Sequence, residues 1–160
     1  MGQKISKQAL KKQARKKAYD YELKCHGCSQ AVLLTFQELL GLEDELTFKA
    51  AGPLCAGLGM GRACGALTGG VMVLGMMYGR PHIQDGLNGL LPGMGIAQKL
   101  VQKFEKEFGT TTCSEISKIK DWTDFKAVMQ AVNDPAFIER EAQVVGKTAE
   151  MVAELLGEES

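Results

Sequence analysis

The chain has 160 residues, a size that suits one domain. At 45% hydrophobic, 24% charged and zero net charge it can bury a core, which argues against wholesale disorder. Neutrality gives no overall case for nucleic-acid binding, and none is expected. Aromatics make up only 6%, against 19 Gly and 8 Met, so the core must be built from small and flexible side chains.

Charge is concentrated at the ends. Residues 1–24 carry a net +6 and residues 139–160 a net −4. Two solvated helix faces are the simpler reading, and attraction between the ends the sharper one. The basic start leads into no apolar signal-peptide core. The most apolar stretch, Cys64 to Met77, is broken by glycines and too short to span a bilayer. The expected setting is a reducing cytoplasm, where cysteines serve redox turnover or metals more often than structural bridges. The odd count of 5 cysteines also fits a disulfide framework poorly. Met1-Gly2-Gln3-Lys4-Ile5-Ser6 matches a myristoylation pattern; short matches of this kind arise by chance, and nothing is built on it.

In chain order, residues 6–23 are predicted helical with Ser6 as N-cap. Their apolar stripe is thin (Ala9, Leu10, Ala14, Ala18, Tyr21), which suits a peripheral helix or a partner contact. Residues 28–40 are an amphipathic helix: Cys28, Ala31, Val32, Thr35, Phe36, Leu39 and Leu40 recur at helical spacing, and Gly41 ends it. Residues 42–63 read as linking structure. Gly57, Gly59 and Gly61 have the wrong spacing and context for a dinucleotide loop and read as a tight turn.

Residues 64–78 are apolar on every face and are predicted to form a buried central helix, with Gly65 and Gly69 allowing a neighbour close approach. Residues 79–92 read as a loop, followed by a helix to Phe108 with Gly109 as its stop. Thr112 and Glu115 form a capping-box pattern that makes Cys113 the first residue of the next helix. Asp121 to Val132 is predicted helical, and Asp134-Pro135 opens a last helix with a cap and a first-turn proline. No strand pattern competes. The expected fold is all-α, a compact helical bundle around the Gly/Met-rich central helix. Residues 1–24 would be a basic helix, 25–157 the cysteine-containing domain and 158–160 an acidic tail.

The chemistry rests on sulfur. Cys28, Cys64 and Cys113 are each predicted at a helix start, where backbone N–H groups and the helix dipole favour a thiolate. Cys25-His26-Gly27-Cys28 is a CxxC that can cycle between dithiol and disulfide or supply two metal ligands. A zinc ribbon lacks its second CxxC, and haem attachment fails because Ser29 stands where histidine is needed. Cys55 lies in the glycine-rich loop. Glu141 falls on the inward face of the last helix and must be paired, protonated or metal-bound; Arg62, Arg80 and Arg140 are candidate partners. His26 is expected at the surface, with tuning of a neighbouring thiolate as the alternative.

Cys28-Ser-Gln-Ala-Val-Leu, the glycine run into Cys64-Gly-Ala-Leu-Thr-Gly69, and Phe108-Gly109 followed by Cys113 resemble the C_GCAxxG_C_C family of redox-active proteins. The resemblance runs from about residue 20 to the last helix and leaves the basic N-terminal helix outside. It implies redox character and names no substrate. The family's four signature cysteines fall on Cys28, Cys64, Cys113 and a last-helix position aligned with Glu141, which is not a cysteine. Cys25, Cys55 or the Glu141 carboxylate would then complete the set; the alternative is that this member has lost the site.

Three functions follow as expectations. One is a redox protein binding an iron–sulfur cluster or another thiolate-bound metal for electron transfer, through Cys28, Cys64 and Cys113 with Cys25, Cys55 or Glu141. The second is a thiol–disulfide oxidoreductase using Cys25 and Cys28, with Cys25 attacking. The third is a non-catalytic helical protein with a binding or structural role. A redox partner protein and a homo-oligomer are compatible with the first two.

Overall fold

The structure is a computed structural model and describes residues 6–157. All of the myristoylation pattern but Ser6, and the acidic tail, therefore fall outside the described residues. Eight α-helices follow in order: α1 (Lys7–Cys25), α2 (Cys28–Leu40), α3 (Glu45–Ala51), α4 (Gly65–Tyr78), α5 (Gly86–Phe108), α6 (Cys113–Ser117), α7 (Phe125–Val132) and α8 (Pro135–Leu156). Among the described residues there is no strand, only an isolated antiparallel bridge between Ala63 and Thr112. The fold is all-α.

Several ends are written into the sequence. Ser6 Oγ accepts the Ala9 N–H and starts α1, and Asp134 accepts the Ala136 N–H ahead of Pro135 at the start of α8. Gly41 and Gly109 adopt the left-handed conformation that ends α2 and α5. Thr112 precedes α6 as expected, but its side chain makes no capping hydrogen bond. Helix α7 begins four residues later than predicted. Asp121 Oδ1 accepts the Thr123 N–H in a local turn, and Asp124 is the true cap.

The core forms where α2 and α4 cross and α8 closes over both. Val32, Leu33, Phe36, Leu74, Leu100, Phe104, Val145, Val152 and Leu155 are its buried members. Gly69 decides how near the first two helices come. A Cβ there would lie 2.8 Å from Ser29 Cα, so only hydrogen lets α4 rest on the α2 backbone. The expectation that α4 is buried on every side holds for its first half alone. Gly75 and Met77 are exposed, because among the described residues no element covers that flank of the second half.

Segment 42–63 is more structured than a linker. It holds α3, a short 3-10 turn over Gly52–Leu54, and a turn over Gly57–Gly61 closed by the Arg62 N–H on the Gly57 carbonyl at 2.9 Å. Ala56, Gly57, Leu58 and Gly59 all have positive φ, a left-handed turn with two non-glycine members. The predicted loop 79–92 is likewise partly helix, since α5 starts at Gly86 and carries Pro92 inside it. Residues 86–92 are largely exposed, so no packed apolar stripe marks them as helix.

Helix α1 is packed rather than detached. Ala14 and Ala18 are fully buried, and a Cβ on Gly146 of α8 would lie 3.0 Å from the Arg15 carbonyl. The charged ends meet along this seam. Arg15 reaches Glu150 at 2.8 Å, Lys11 lies 3.8 Å from Glu154, and the Tyr19 hydroxyl donates to Glu139 at 2.6 Å. The two ion pairs are partly exposed and each contributes at most about 1 kcal/mol; the alanine seam makes the joint.

Candidate functional site: a cysteine-lined cavity

Four of the five cysteines face one small cavity of about 100 Å³. Cys28 enters from the first turn of α2, Cys55 from the loop after α3, Cys64 from the cap of α4 and Cys113 from the first turn of α6. Two carboxylates join them, Glu22 from α1 and Glu141 from α8, with the Trp122 indole and, at the exposed rim, His26. All five cysteines are free thiols.

The convergence has local causes. The Ala63–Thr112 bridge ties the start of α4 to the start of α6: the Cys64 N–H donates to the Thr111 carbonyl at 2.8 Å, and the Cys113 N–H to the Arg62 carbonyl at 2.6 Å. Gly57 lies so close to Cys113 that a Cβ there would stand 2.8 Å from the Cys113 Cβ. Gly65 does the same for the other pair. A Cβ there would collide with Cys28 Sγ and sit 3.1 Å from Cys55 Cα. Two glycines thus make the room in which the sulfurs meet.

The thiols are not alike. Burial pushes Cys64 up to about 11 and Cys113 up to about 12, outweighing whatever their helix starts contribute. Cys28 is also raised well above the ordinary value, first by its hydrogen bond to Cys55, then by desolvation, then by the charge of Glu22. The expectation that helix starts make these three sulfurs thiolates is therefore corrected. The lowered thiol is Cys55. It accepts from Cys28, from the Ser29 hydroxyl at 2.9 Å, and from the Ser29 and Gln30 backbone N–H groups that open α2. The helix start that favours a thiolate thus acts on a sulfur supplied by another segment.

Cys25 is elsewhere. It is the last residue of α1, exposed, and absent from the cavity wall.

The carboxylates are held nearly neutral. Glu22 is buried and raised to about 8, first by desolvation and then by Glu141 and Cys55; the Gly27 N–H donates to its Oε2 at 3.1 Å. Burial raises Glu141 to about 7, with Arg140 opposing. No ion pair with Arg62, Arg80 or Arg140 forms, and Glu141 Oε1 and Trp122 Nε1 are both buried without a hydrogen-bond partner. Arg140 instead donates to the Ser117 carbonyl at 2.9 Å.

Glu22, Ser29 and Trp122 were not singled out from sequence. Glu22 had a signal, since Ala14, Ala18 and Glu22 are spaced i, i+4, i+8 and are the buried residues of α1. Ser29 and Trp122 had none beyond position after Cys28 and being the one tryptophan.

A family model described as "Putative redox-active protein (C_GCAxxG_C_C)" matches residues 26–155. The chain belongs to this family. No curated protein and no solved structure matches it. In C_GCAxxG_C_C terms, the described structure places Cys28, Cys64 and Cys113 on one cavity, with Glu141 on the wall where a fourth signature cysteine was expected. Cys55 is a further thiol on that wall. The donors lining the cavity are four sulfurs, two carboxylates and, at the rim, the His26 imidazole. Among the described residues, no three His, Cys, Asp or Glu side chains stand together in an arrangement that would hold a metal ion.

Proposed function

We propose that this C_GCAxxG_C_C protein is a dithiol redox protein in which Cys55 attacks and Cys28 resolves. One observation supports it above the rest: Cys55 Sγ is set against the Cys28 thiol and the opening turn of α2, 2.9 Å from Ser29 Oγ. A lowered thiol beside a raised one is the pairing that thiol exchange uses.

Against a disulfide substrate, the Cys55 thiolate attacks one sulfur and expels the other as a thiolate. Cys28 then loses its proton and attacks the Cys55 sulfur of the mixed disulfide, expelling the second substrate thiolate. Two electrons pass to the substrate and a Cys28–Cys55 disulfide remains. A dithiol reductant restores the protein. This differs from the Cys25–Cys28 scheme that the CxxC suggests, because Cys25 does not face the cavity.

The test is reaction of the reduced protein with the aromatic disulfide DTNB, followed by peptide mass mapping. Wild type and Cys25→Ser should both give a Cys28–Cys55 disulfide. Cys28→Ser should stop at a mixed disulfide on Cys55. A Cys25–Cys28 disulfide, or unchanged kinetics in Cys55→Ser, would refute the assignment.

The donor set favours a second reading, a thiolate-bound metal or iron–sulfur centre on Cys28, Cys55, Cys64 and Cys113, with Glu141 Oε1 as a free oxygen donor. These side chains would have to draw together to ligate. Metal and acid-labile sulfide analysis of protein purified without oxygen decides it, and a metal-free, colourless product that cannot be reconstituted removes it.

A further inference from the structure

We infer that the oxidant admitted to this cavity is a small hydroperoxide, and that Glu141 is the acid that protonates the departing oxygen. The inference rests on the Cys55–Cys28 assignment above and adds a substrate class and a catalytic residue to it.

Size is the first argument. The cavity of about 100 Å³ has room for roughly three waters at ~30 Å³ each. Hydrogen peroxide fits wholly inside this space, whereas a disulfide such as DTNB must reach Cys55 with most of its bulk outside it. Wall chemistry is the second. A thiolate leaving group departs without help, so disulfide exchange has no use for an acid in the cavity. Peroxide cleavage expels hydroxide or alkoxide, which needs a proton as the O–O bond breaks.

Two carboxyl groups face the cavity, and their partners distinguish them. Glu22 Oε2 already accepts the Gly27 N–H. Glu141 Oε1 is buried with no partner, as is the indole N–H of Trp122. A carboxyl oxygen and an indole N–H left unpartnered on one cavity wall are costly unless water or a ligand completes the set. A hydroperoxide does so, accepting from the indole N–H and from the Glu141 carboxyl.

The step balances. The Cys55 thiolate attacks the near oxygen of ROOH, the O–O bond breaks, and the far oxygen leaves as ROH with the Glu141 proton. Cys55 becomes a sulfenic acid. The Cys28 thiol then displaces its hydroxyl as water and forms the Cys28–Cys55 disulfide. The proton that Cys55 lost on ionising restores Glu141. In sum, one hydroperoxide and two thiols give an alcohol or water, one disulfide and one water.

The experiment is single-turnover oxidation of the reduced full chain by hydrogen peroxide, cumene hydroperoxide and DTNB. Exposed Cys25 serves as the internal reference thiol. The expected result is that hydrogen peroxide oxidises Cys55 at least ~100-fold faster than Cys25. Cumene hydroperoxide should be at least tenfold slower than hydrogen peroxide. Glu141→Gln should lower the ratio of peroxide rate to DTNB rate by about 10²-fold, and Trp122→Phe should lower it severalfold. Peroxide oxidation of Cys55 no faster than of Cys25 overturns the inference, as does an unchanged ratio in both variants. Equal rates with the two hydroperoxides overturn the size selection. If DTNB yields the Cys28–Cys55 disulfide and peroxide does not, the inference fails and the dithiol reading stands. If neither yields it, both fail.

Discussion

Ser29 Oγ lies 2.9 Å from Cys55 Sγ and 2.7 Å from the Ala51 carbonyl oxygen, and it has one proton to give. When Cys55 is a thiol, it donates to Ser29 and Ser29 donates to Ala51. When Cys55 ionises, the hydroxyl proton turns to the sulfur and the Ala51 carbonyl gives it up. Ser29 is fully buried, so water does not compensate freely for either bond. The hydroxyl therefore links the charge on Cys55 to the end of α3.

Ser29→Ala should move the pH midpoint of Cys55 alkylation upward by roughly one unit, the loss of one hydrogen bond to a charged group. It should also destabilise the fold by about 1–2 kcal/mol through the Ala51 carbonyl left without that donor. Iodoacetamide rates against pH, read at Cys55 by mass spectrometry, check the first part. An unmoved midpoint would mean that Cys28 and the α2 backbone hold the thiolate unaided.

Gly65→Ala should abolish the fast reaction of Cys55, because the new methyl collides with Cys28 Sγ and sits against Cys55 Cα, the latter at 3.1 Å. Gly69→Ala should act differently. Its methyl would meet the Ser29 backbone, which cannot rotate away, and the cost is overpacking of about 2–3 kcal/mol. Thermal unfolding should show a fall in Tm of roughly 5–10 °C for Gly69→Ala.

The buried carboxylates set a pH dependence of stability with a definite sign. Glu22 rises from an ordinary 4.5 to about 8 in the folded protein. The folded state thus binds more protons than the unfolded state between those values. Its contribution is full below the unfolded pKa and is lost as pH rises through the folded one. Glu22→Gln should flatten urea-derived stability between pH 4.5 and 8. At pH 8.5 it should be more stable than wild type by on the order of 5 kcal/mol. A slope that persists in the variant would place its origin at Glu141 or the thiols.

Along the α1–α8 seam, Arg15→Ala should cost less than about 1 kcal/mol, because the pair with Glu150 is partly exposed. Ala18→Leu should cost about 1–3 kcal/mol or more, since Ala18 is fully buried where the helices touch. Because Glu22 belongs to the same helix, Ala18→Leu should also slow Cys55 oxidation. Chemical denaturation of the two variants compares them directly.

Much of the fold was legible. Helices α2, α4 and α8 follow from apolar spacing, and Ser6, Gly41, Gly109 and Asp134 mark ends that the structure places at the same residues. What was misread lacked a periodic signal. Residues 86–92 are largely exposed, and the Ala56–Gly59 turn is stabilised by packing against α6 rather than by its own pattern.

By itself, the amino-acid order determined which segments coil into helices and which cysteines stand at their starts, because periodicity and capping act over a few residues. It could not determine which sulfur is ionised. That depends on Cys55 meeting the opening turn of α2 and the Cys28 thiol across 27 residues of chain, and on burial overriding the dipole at Cys64 and Cys113. Charge in a cavity is set by every group that faces it, and only the tertiary structure brings those groups together.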